Sequence, residues 1–252
     1  MVKCGAAWVL LLLALLVAPA GHAQDAAAAF DRPGMGFASS TLPRGGIAWE
    51  QGLPDVSFSH DGDTRSRQWL ADSLLRLGLT DTLELQLGAD SYGGLRTQDA
   101  SGHWQAHGMG DSRIGLKTAL PSRWDALSWA LLATANLPTG RAPLGGGQRG
   151  YDLGITAQWA LAHERSVAIF IDRSMGAARG WMIAPSVGYA INQDWGGYVE
   201  AGIGTGAQQG RQLGTGLTWQ PSPRLQWDIS VLRGVAGAPD WQAGLGVSWF
   251  VP

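Results

Sequence analysis

The C-terminal stretch restricts the fold more than any other part of the chain, because its side chains alternate strictly in character. Trp241, Ala243, Leu245, Val247, Trp249 and Val251 share one parity and are all apolar. The intervening positions are Gln242, Gly244, Gly246, Ser248 and Phe250, which are mostly small or polar. A β-strand points alternate side chains to opposite faces, so this stretch predicts a strand with one apolar face. That face meets a core in a soluble sheet and lipid in a transmembrane barrel, and one strand does not decide between them.

The first 23 residues have the layout of a secretory signal peptide. Lys3 gives a short basic start, residues 6–17 form an apolar run, and residues 21–23 (Gly-His-Ala) provide a small-x-small cleavage site. The run is shorter than the ~20 residues that a spanning helix needs. We therefore predict that residues 1–23 are removed on export.

Composition excludes several classes of function. Cys4 is the only cysteine and precedes the predicted cleavage site, so the mature chain has neither a disulfide framework nor thiolate metal ligands. Without Lys3, 17 basic residues stand against 20 acidic ones, a net charge of about −3 that gives no basis for binding nucleic acid. An exported chain with no spanning helix and many alternating segments is either a secreted β-protein or an outer-membrane barrel.

Residues 24–44 show no period and predict an irregular N-terminal segment, which would be able to enter a lumen as a plug. Parity then predicts twelve strands in the barrel domain, residues 45–252. They are residues 45–58, 68–79, 83–93, 111–120, 126–137, 151–162, 166–176, 180–191, 195–205, 211–220, 225–235 and 241–252. Short turns follow the even strands and the two longest loops, 94–108 and 138–150, follow odd ones, which is the pattern of an outer-membrane barrel with short periplasmic turns.

Tryptophan placement favours the barrel over a soluble sandwich, because the tryptophans lie near strand ends and not in mid-strand. Interfacial aromatic girdles flank the apolar band of transmembrane barrels, whereas a sandwich core would hold several rings in mid-strand. The predicted girdle residues are Trp49, Trp129, Trp159, Trp219, Trp227 and Trp249 near the periplasmic end, with Trp195 at a strand edge, and Trp69, Trp181 and Trp241 near the extracellular end.

Five arginines share the outward phase at or beyond the extracellular strand ends, namely Arg67, Arg173, Arg179, Arg211 and Arg233. Guanidinium groups bind phosphate bidentately, which makes lipopolysaccharide a candidate partner. Ordinary solvated rim charges are an equally consistent interpretation.

The inward phase alternates glycine with polar residues and carries charge. The candidate lumen-lining residues are Asp72, Arg76, Glu84, Arg113, Lys117, Asp152, Asp172, Glu200 and Asp228. Arg76 and Glu84 flank the first short turn and are placed to meet diagonally across it. Two interpretations stay open: a mildly acidic selectivity lining for a small solute, or a structural network that satisfies buried charges.

Catalytic patterns are weak, and we predict neither an enzyme nor a cofactor. The glycines at 202, 204 and 206 are a fragment of a dinucleotide fingerprint without its helix, and residues 140–147 lack the Lys-Ser/Thr of a phosphate loop. His103 and His107 fall in a predicted loop, so no metal site is expected. An outer-membrane phospholipase needs an Asn-His-Ser set on one outer face, and no histidine falls in a predicted strand.

Several segments together resemble the meta-pathway phenol-degradation family of outer-membrane transporters. They are residues 41–45 (Thr-Leu-Pro-Arg-Gly) leading to 49–52 (Trp-Glu-Gln-Gly), 75–85 (Leu-Arg-Leu-Gly-Leu-Thr-Asp-Thr-Leu-Glu-Leu), 108–117 (Gly-Met-Gly-Asp-Ser-Arg-Ile-Gly-Leu-Lys) and 137–140 (Leu-Pro-Thr-Gly). The resemblance covers most of residues 30–252 and implies a barrel that passes small, aromatic compounds across the outer membrane.

The sequence thus predicts an all-β, antiparallel outer-membrane barrel of about twelve strands that passes small solutes, aromatic or hydrophobic ones included, without energy coupling of its own. Its expected partners are outer-membrane lipid and lipopolysaccharide, the barrel-assembly machinery during biogenesis, and the solute. A structural or adhesion barrel with a closed lumen is the alternative, and a secreted soluble β-protein or enzyme is a third possibility.

Overall fold

Residues 28–252 are described by the computed structural model, so the predicted signal peptide and residues 24–27 lie outside it. Every regular element in this range is a β-strand. The strands are β1 (Ile47–Gly52), β2 (Asp55–Asp61), β3 (Thr64–Thr80), β4 (Leu83–Asp99), β5 (Gly102–Gly108), β6 (Ser112–Leu120), β7 (Leu127–Leu137), β8 (Gly150–Leu161), β9 (Arg165–Gly176), β10 (Gly180–Ala190), β11 (Trp195–Gly206), β12 (Gly210–Ser222), β13 (Leu225–Ala236) and β14 (Trp241–Val251). Within residues 28–252 there is no helix long and apolar enough to span a membrane.

The fourteen strands form a closed antiparallel barrel of twelve. β1 and β2 follow one another along a single barrel strand, since both pair with β3 on one side and β14 on the other. β5 and β6 likewise share one barrel strand beside β4. Pairing of β14 with β1 and β2 closes the sheet, which removes the free edges that an open sheet would expose.

The first predicted strand, residues 45–58, is interrupted at Pro54, which divides it into β1 and β2. The predicted loop 94–108 is wrong, since β4 continues to Asp99 and β5 returns from Gly102. These residues form an extended hairpin whose returning strand β5 is mostly exposed on both faces, so it lacks the apolar parity used to recognise strands. Residues 138–149 do form a long irregular connection.

The opposite parities of β14 face opposite sides of the barrel wall. Trp241, Leu245 and Trp249 are exposed on the outside, whereas Gly246 and Ser248 are buried inside. The same outward exposure of large apolar side chains recurs on the other strands around the barrel. A continuous apolar outer surface of this kind is stable in lipid and not in water.

Residues 28–44 form a loop inside the barrel, and both ends of the loop lie at the end that carries the short turns, hereafter the short-turn end. Ala28 donates a backbone hydrogen bond to Pro223 in the turn before β13, and the Arg44 backbone N–H donates to Asp81 in the turn before β4. Between these ends, Phe30 and Leu42 pack with Ala48 and Phe250 in a small buried cluster. The opposite end of the barrel, with connections such as 138–149, is the long-hairpin end.

Two glycines let this N-terminal loop approach the wall. A Cβ on Gly78 would overlap the Pro43 carbonyl oxygen, and one on Gly36 would lie 2.9 Å from Cβ of Phe170. Glycine at 78 in β3 therefore lets the wall approach Pro43, and glycine at 36 lets the loop approach Phe170 in β9. Phe37 then meets Phe170 edge-on at 5.7 Å between ring centroids.

Candidate functional site: the charged barrel interior

Arg76 is the centre of a buried charge cluster near the short-turn end. Its Nε and Nη2 donate to the two carboxylate oxygens of Glu84 at 2.7 and 2.9 Å, across the turn between β3 and β4 as the sequence suggested. Its Nη1 donates to Glu50 at 2.8 Å and to the Ala29 carbonyl at 2.9 Å. All three charged side chains are fully buried, so each depends on the others for its solvation.

The N-terminal loop inserts its own charges into this cluster. Asp31 accepts a 2.7 Å bond from Nζ of Lys117 and lies 3.5 Å from Arg76. Glu50 in turn accepts the backbone N–H groups of Asp31 and Arg32 at 2.9 and 2.8 Å. Burial acts to raise the pKa of Asp31, but the positive charges of Arg76 and Lys117 outweigh it and lower that pKa.

Arg32 anchors the inner part of the loop to three carboxylates of the wall. It forms a bidentate pair with Asp55 at 3.0 Å and contacts Asp72 at 3.0 Å and Asp228 at 3.3 Å. Burial acts to lower the pKa of Arg32, and the surrounding carboxylates raise it more strongly. One guanidinium therefore holds three strands and the N-terminal loop together by charge-assisted hydrogen bonds.

The wall formed by β8–β11 is acidic, and its acids have no cationic partner among residues 28–252. Glu200 accepts the Met35 backbone N–H at 3.0 Å, Asp172 accepts from Gln208 at 2.8 Å, and Asp152 accepts from Asn136. No ion pair within residues 28–252 involves these three acids. This side of the interior therefore carries negative charge balanced only by neutral donors.

All nine candidate lumen-lining residues face the interior, but the structure divides them into four environments. Arg76, Glu84 and Lys117 lie in the buried cluster, and Asp72 and Asp228 hold Arg32. Asp152, Asp172 and Glu200 form the acidic wall, and Arg113 lies between Asp72 at 3.5 Å and Asp90 at 3.6 Å.

Sequence reasoning missed Asp31, Arg32, Glu50, Asp55 and Asp90. Asp31 and Arg32 lie in a segment without periodicity, where parity gives no orientation. Glu50 and Asp55 flank the irregularity at Pro54, where the phase of the first strand changes. Only the position of the N-terminal loop brings Asp31 and Arg32 to the charged residues of the wall.

The inward phase is less polar than predicted. Leu70, Leu74, Leu132 and Leu232 border interior cavities, and Phe170 packs on the loop. The N-terminal loop brings its own apolar residues to this face: Met35 borders the same cavity as Leu70 and Leu232, and Phe37 borders the same cavity as Leu74 and Leu132.

Two cavities flank the inner part of the loop. One, of about 300 Å³, is bordered by Arg32, Asp55 and the amides of Gln68, Gln212 and Gln242 toward the long-hairpin end. The other, of about 270 Å³, is bordered by Phe37, Leu74, Gln86, Arg113 and Leu132. Met35 borders both, so the loop lies between them.

The predicted girdle tryptophans lie on the outer surface near the ends of the barrel. Trp49 is opposite Trp249, and Trp219 is opposite both Trp195 and Trp227, in a row at the short-turn end. Trp159 and Trp129 extend this row, with the Trp129 indole N–H donating to the Pro121 carbonyl at 3.1 Å. Trp69, Trp181 and Trp241 lie toward the long-hairpin end, where Trp69 is half-buried beside Tyr92.

His60 lies in β2 and His103 and His107 lie in β5, so the prediction that no histidine falls in a strand is wrong. The two asparagines are engaged elsewhere: Asn136 donates to Asp152, and Asn192 accepts backbone N–H groups in a turn. The Asn-His-Ser arrangement of an outer-membrane phospholipase is therefore not formed by the described residues. Within residues 28–252, no group of three or more His, Cys, Asp or Glu is placed to hold a metal ion.

A closed twelve-stranded barrel with an apolar outer face, interfacial tryptophans and a charged interior is an outer-membrane β-barrel. The chain belongs to the family described as "Putative MetA-pathway of phenol degradation", whose model matches residues 30–250. No curated protein matched the sequence.

Solved structures confirm the fold. A COG4313 outer membrane channel from Pseudomonas putida F1 superposes with a TM-score of 0.64 at 15% identity, covering 87% of this chain and 99% of that one. The KdgM porin gives a TM-score of 0.53 at 10% identity, covering 81% of this chain and 98% of its own. At these identities the likeness concerns the barrel architecture.

Proposed function

We propose that this protein is a passive outer-membrane channel for small solutes, in which the N-terminal loop narrows the path. The observation that carries the proposal is the pair of cavities on either side of the loop, with Met35 bordering both. Each is close to the lower bound of about 300 Å³ for small-molecule sites, which favours small solutes over oligomers.

The chemistry of the cavity walls supports amphipathic solutes. The cavity near the long-hairpin end combines amide side chains with Leu70 and Leu232, and the other combines Phe37, Leu74 and Leu132 with Arg113. Apolar walls with a few polar groups accept a small aromatic ring that carries a hydroxyl. The names of the family and of the P. putida channel agree with this class of solute and role.

The charge distribution supports exclusion of anions from the path. Asp152, Asp172 and Glu200 lack cationic partners among the described residues, whereas the interior cations each have carboxylate partners. Neutral and cationic solutes are therefore favoured, and neither catalysis nor an energy source takes part in transport.

Export through a cleaved signal peptide, with residues 1–23 removed, is part of the same proposal. Insertion would then use the barrel-assembly machinery, and residues 24–44 would act as the lumen plug of the 45–252 barrel. The contacts of residues 28–44 with Glu50, Glu84 and Asp228 support the plug role.

Uptake by liposomes containing the refolded full-length mature chain tests the function. Influx of phenol and of a neutral polar solute of similar size is compared with that of benzoate, and we expect phenol to enter fastest and benzoate slowest. A folded protein that passes none of the three solutes would contradict the channel function and favour a structural barrel with a closed lumen. The observation that supports this alternative is the fully buried cluster of Arg76, Glu84 and Glu50.

The role of the loop is tested separately by a reversible crosslink. Ser39 and Ser128 place their hydroxyl oxygens 2.7 Å apart, and the mature chain has no native cysteine, so the Ser39→Cys/Ser128→Cys double variant should form a disulfide. If the loop must move, oxidation reduces influx and reduction restores it, while each single variant behaves as wild type. Equal influx in both redox states would show that solutes pass a stationary loop.

A further inference from the structure

A basic cavity lies on the outer side of the barrel at the long-hairpin end, apart from the interior. It has a volume of about 460 Å³ and is bordered by Phe58, His60, Arg65, Arg67, Arg96 and Trp241. It forms where β14 begins: β14 pairs with β2 only over residues 56–58, so residues 59–61 of β2 have no strand partner on that side. The three arginines and both aromatic rings are solvent-exposed.

The arginines of this cavity repel one another, which destabilises this part of the sheet. Arg67 of β3 and Arg96 of β4 are directly opposite in the register, an arrangement that destabilises a sheet when both residues carry the same charge. No ion pair within residues 28–252 relieves Arg65, Arg67 or Arg96. Asp240 is the single acid that borders the cavity. The site therefore has excess positive charge that an anion would neutralise.

The aromatic rings orient the guanidinium groups. Arg67 lies over the Phe58 ring at 5.3 Å from its centroid. Stacking of this kind occupies the flat face of a guanidinium group and leaves its edge free to donate bidentate hydrogen bonds. Phosphate accepts such paired bonds, and its second negative charge matches two opposed arginines.

The neighbouring aromatic residues show where the cavity lies relative to the membrane surface. Phe58 pairs with Trp241, and Trp69 lies two residues below Arg67 on the same outer face. Aromatic rings mark the boundary between hydrocarbon and headgroups, so Arg65, Arg67 and Arg96 lie at headgroup level or just beyond it. A ligand bound there has its acyl chains against the apolar wall below and its phosphate at the arginines.

We propose that this cavity is a binding site for the phosphomonoester group of an outer-leaflet lipid, held by Arg65, Arg67 and Arg96. Arg233 lies over Trp241 at 4.8 Å and so adds a guanidinium group beside a ring that borders the cavity, whereas Arg173 over Trp181 at 4.9 Å is a single pair elsewhere on the rim. Convergence of several arginines distinguishes the cavity from that single pair.

The test compares lipid A binding by the refolded full-length mature chain in detergent, measured by native mass spectrometry. Diphosphoryl lipid A is compared with the same acylated disaccharide lacking phosphate, and inorganic phosphate is the third probe. The Arg67→Gln/Arg96→Gln variant should bind diphosphoryl lipid A about tenfold or more weakly, since it loses two charge-assisted contacts. The matched control is Arg179→Gln/Arg211→Gln, which removes two rim charges that are not opposed by another arginine.

Equal loss of binding in the control variant would overturn the proposal, as would equal binding of the dephosphorylated lipid. Saturable binding of inorganic phosphate without binding of the lipid would also overturn it, because the source of the phosphate would then be a free anion. Thermal unfolding provides a second readout. Without lipid, Arg67→Gln/Arg96→Gln should unfold at or above the wild-type temperature because a like-charge contact is removed, and only the wild type should be stabilised further by diphosphoryl lipid A.

Discussion

Replacement of Arg32 by glutamine should release the inner part of the N-terminal loop. Arg32 is largely buried, with 14% of its side chain exposed, and it holds Asp55, Asp72 and Asp228 at 3.0–3.3 Å. Without it, three carboxylates face one another and the fully buried Asp228 has lost its cation. Breaking a buried ion pair on one side costs about 3–5 kcal/mol, and the partial exposure of Asp55 and Asp72 places this site near 3 kcal/mol.

Two measurements report separate consequences of the Arg32→Gln change. Chemical unfolding in detergent should show the loss of stability, and single-channel recordings should show higher conductance because the loop no longer stays between the two cavities. Arg44→Gln is the matched control, since Arg44 belongs to the same loop but is exposed at its short-turn end. It removes the same charge without affecting the carboxylates.

A double-mutant cycle sharpens the test. Asp55→Asn in the Arg32→Gln background removes one of the unpaired carboxylates, so part of the lost stability should return. Wild-type conductance and stability in Arg32→Gln would refute the view that this guanidinium anchors the loop. Equal effects of Arg32→Gln and Arg44→Gln would refute it as well, because the result would then reflect net charge.

Three further changes test other parts of the structure. Leu245→Arg on the outer face, at mid-strand in β14, should cost about 2–4 kcal/mol in lipid vesicles, whereas Gln242→Arg beside the interior cavity should cost less; equal costs would contradict a lipid-facing Leu245. Gly36→Val should displace the loop, because a Cβ there meets Phe170 at 2.9 Å. Overpacking of this kind costs about 1–3 kcal/mol, which thermal unfolding would measure. The control is Gly146→Ala, because the nearest atom to a Cβ at residue 146 is 3.4 Å away. The pKa of Asp31 is lower in the folded protein than its ordinary value of 3.8. Asp31 therefore contributes fully to loop attachment at pH values above 3.8, and this contribution is lost as the pH falls through the lowered pKa of the folded state. Conductance should therefore be constant from pH 7 to about pH 5 and rise only in stronger acid; a rise near pH 6 would point to another group.

The barrel wall was predictable because its physical requirements are local. A spanning strand needs one apolar face, and in Trp241–Val251 that requirement appears as a two-residue alternation. The prediction failed at 94–108, where β4 and β5 extend beyond the membrane and neither face has to be apolar. It also gave no orientation for Glu50 and Asp55, which flank the change of phase at Pro54.

The interior site was only half predictable. Parity placed Asp72, Arg76, Glu84 and Asp228 inside, and the Arg76–Glu84 contact followed from their positions across one short turn. The cation that unites Asp55, Asp72 and Asp228 is Arg32, which lies 196 residues from Asp228 in the chain. A contact at such a separation has no local signature.

The sequence by itself determined the closed barrel, its lipid-facing side and its interfacial tryptophans, because these follow from the character of neighbouring residues and the period of a strand. The tertiary structure alone decided that residues 28–44 return into the interior and complete its charge network. It also decided that Arg65, Arg67 and Arg96 converge on one outer cavity. Both arrangements depend on which strands become neighbours when the sheet closes, since closure sets the distance between residues that are far apart in the chain.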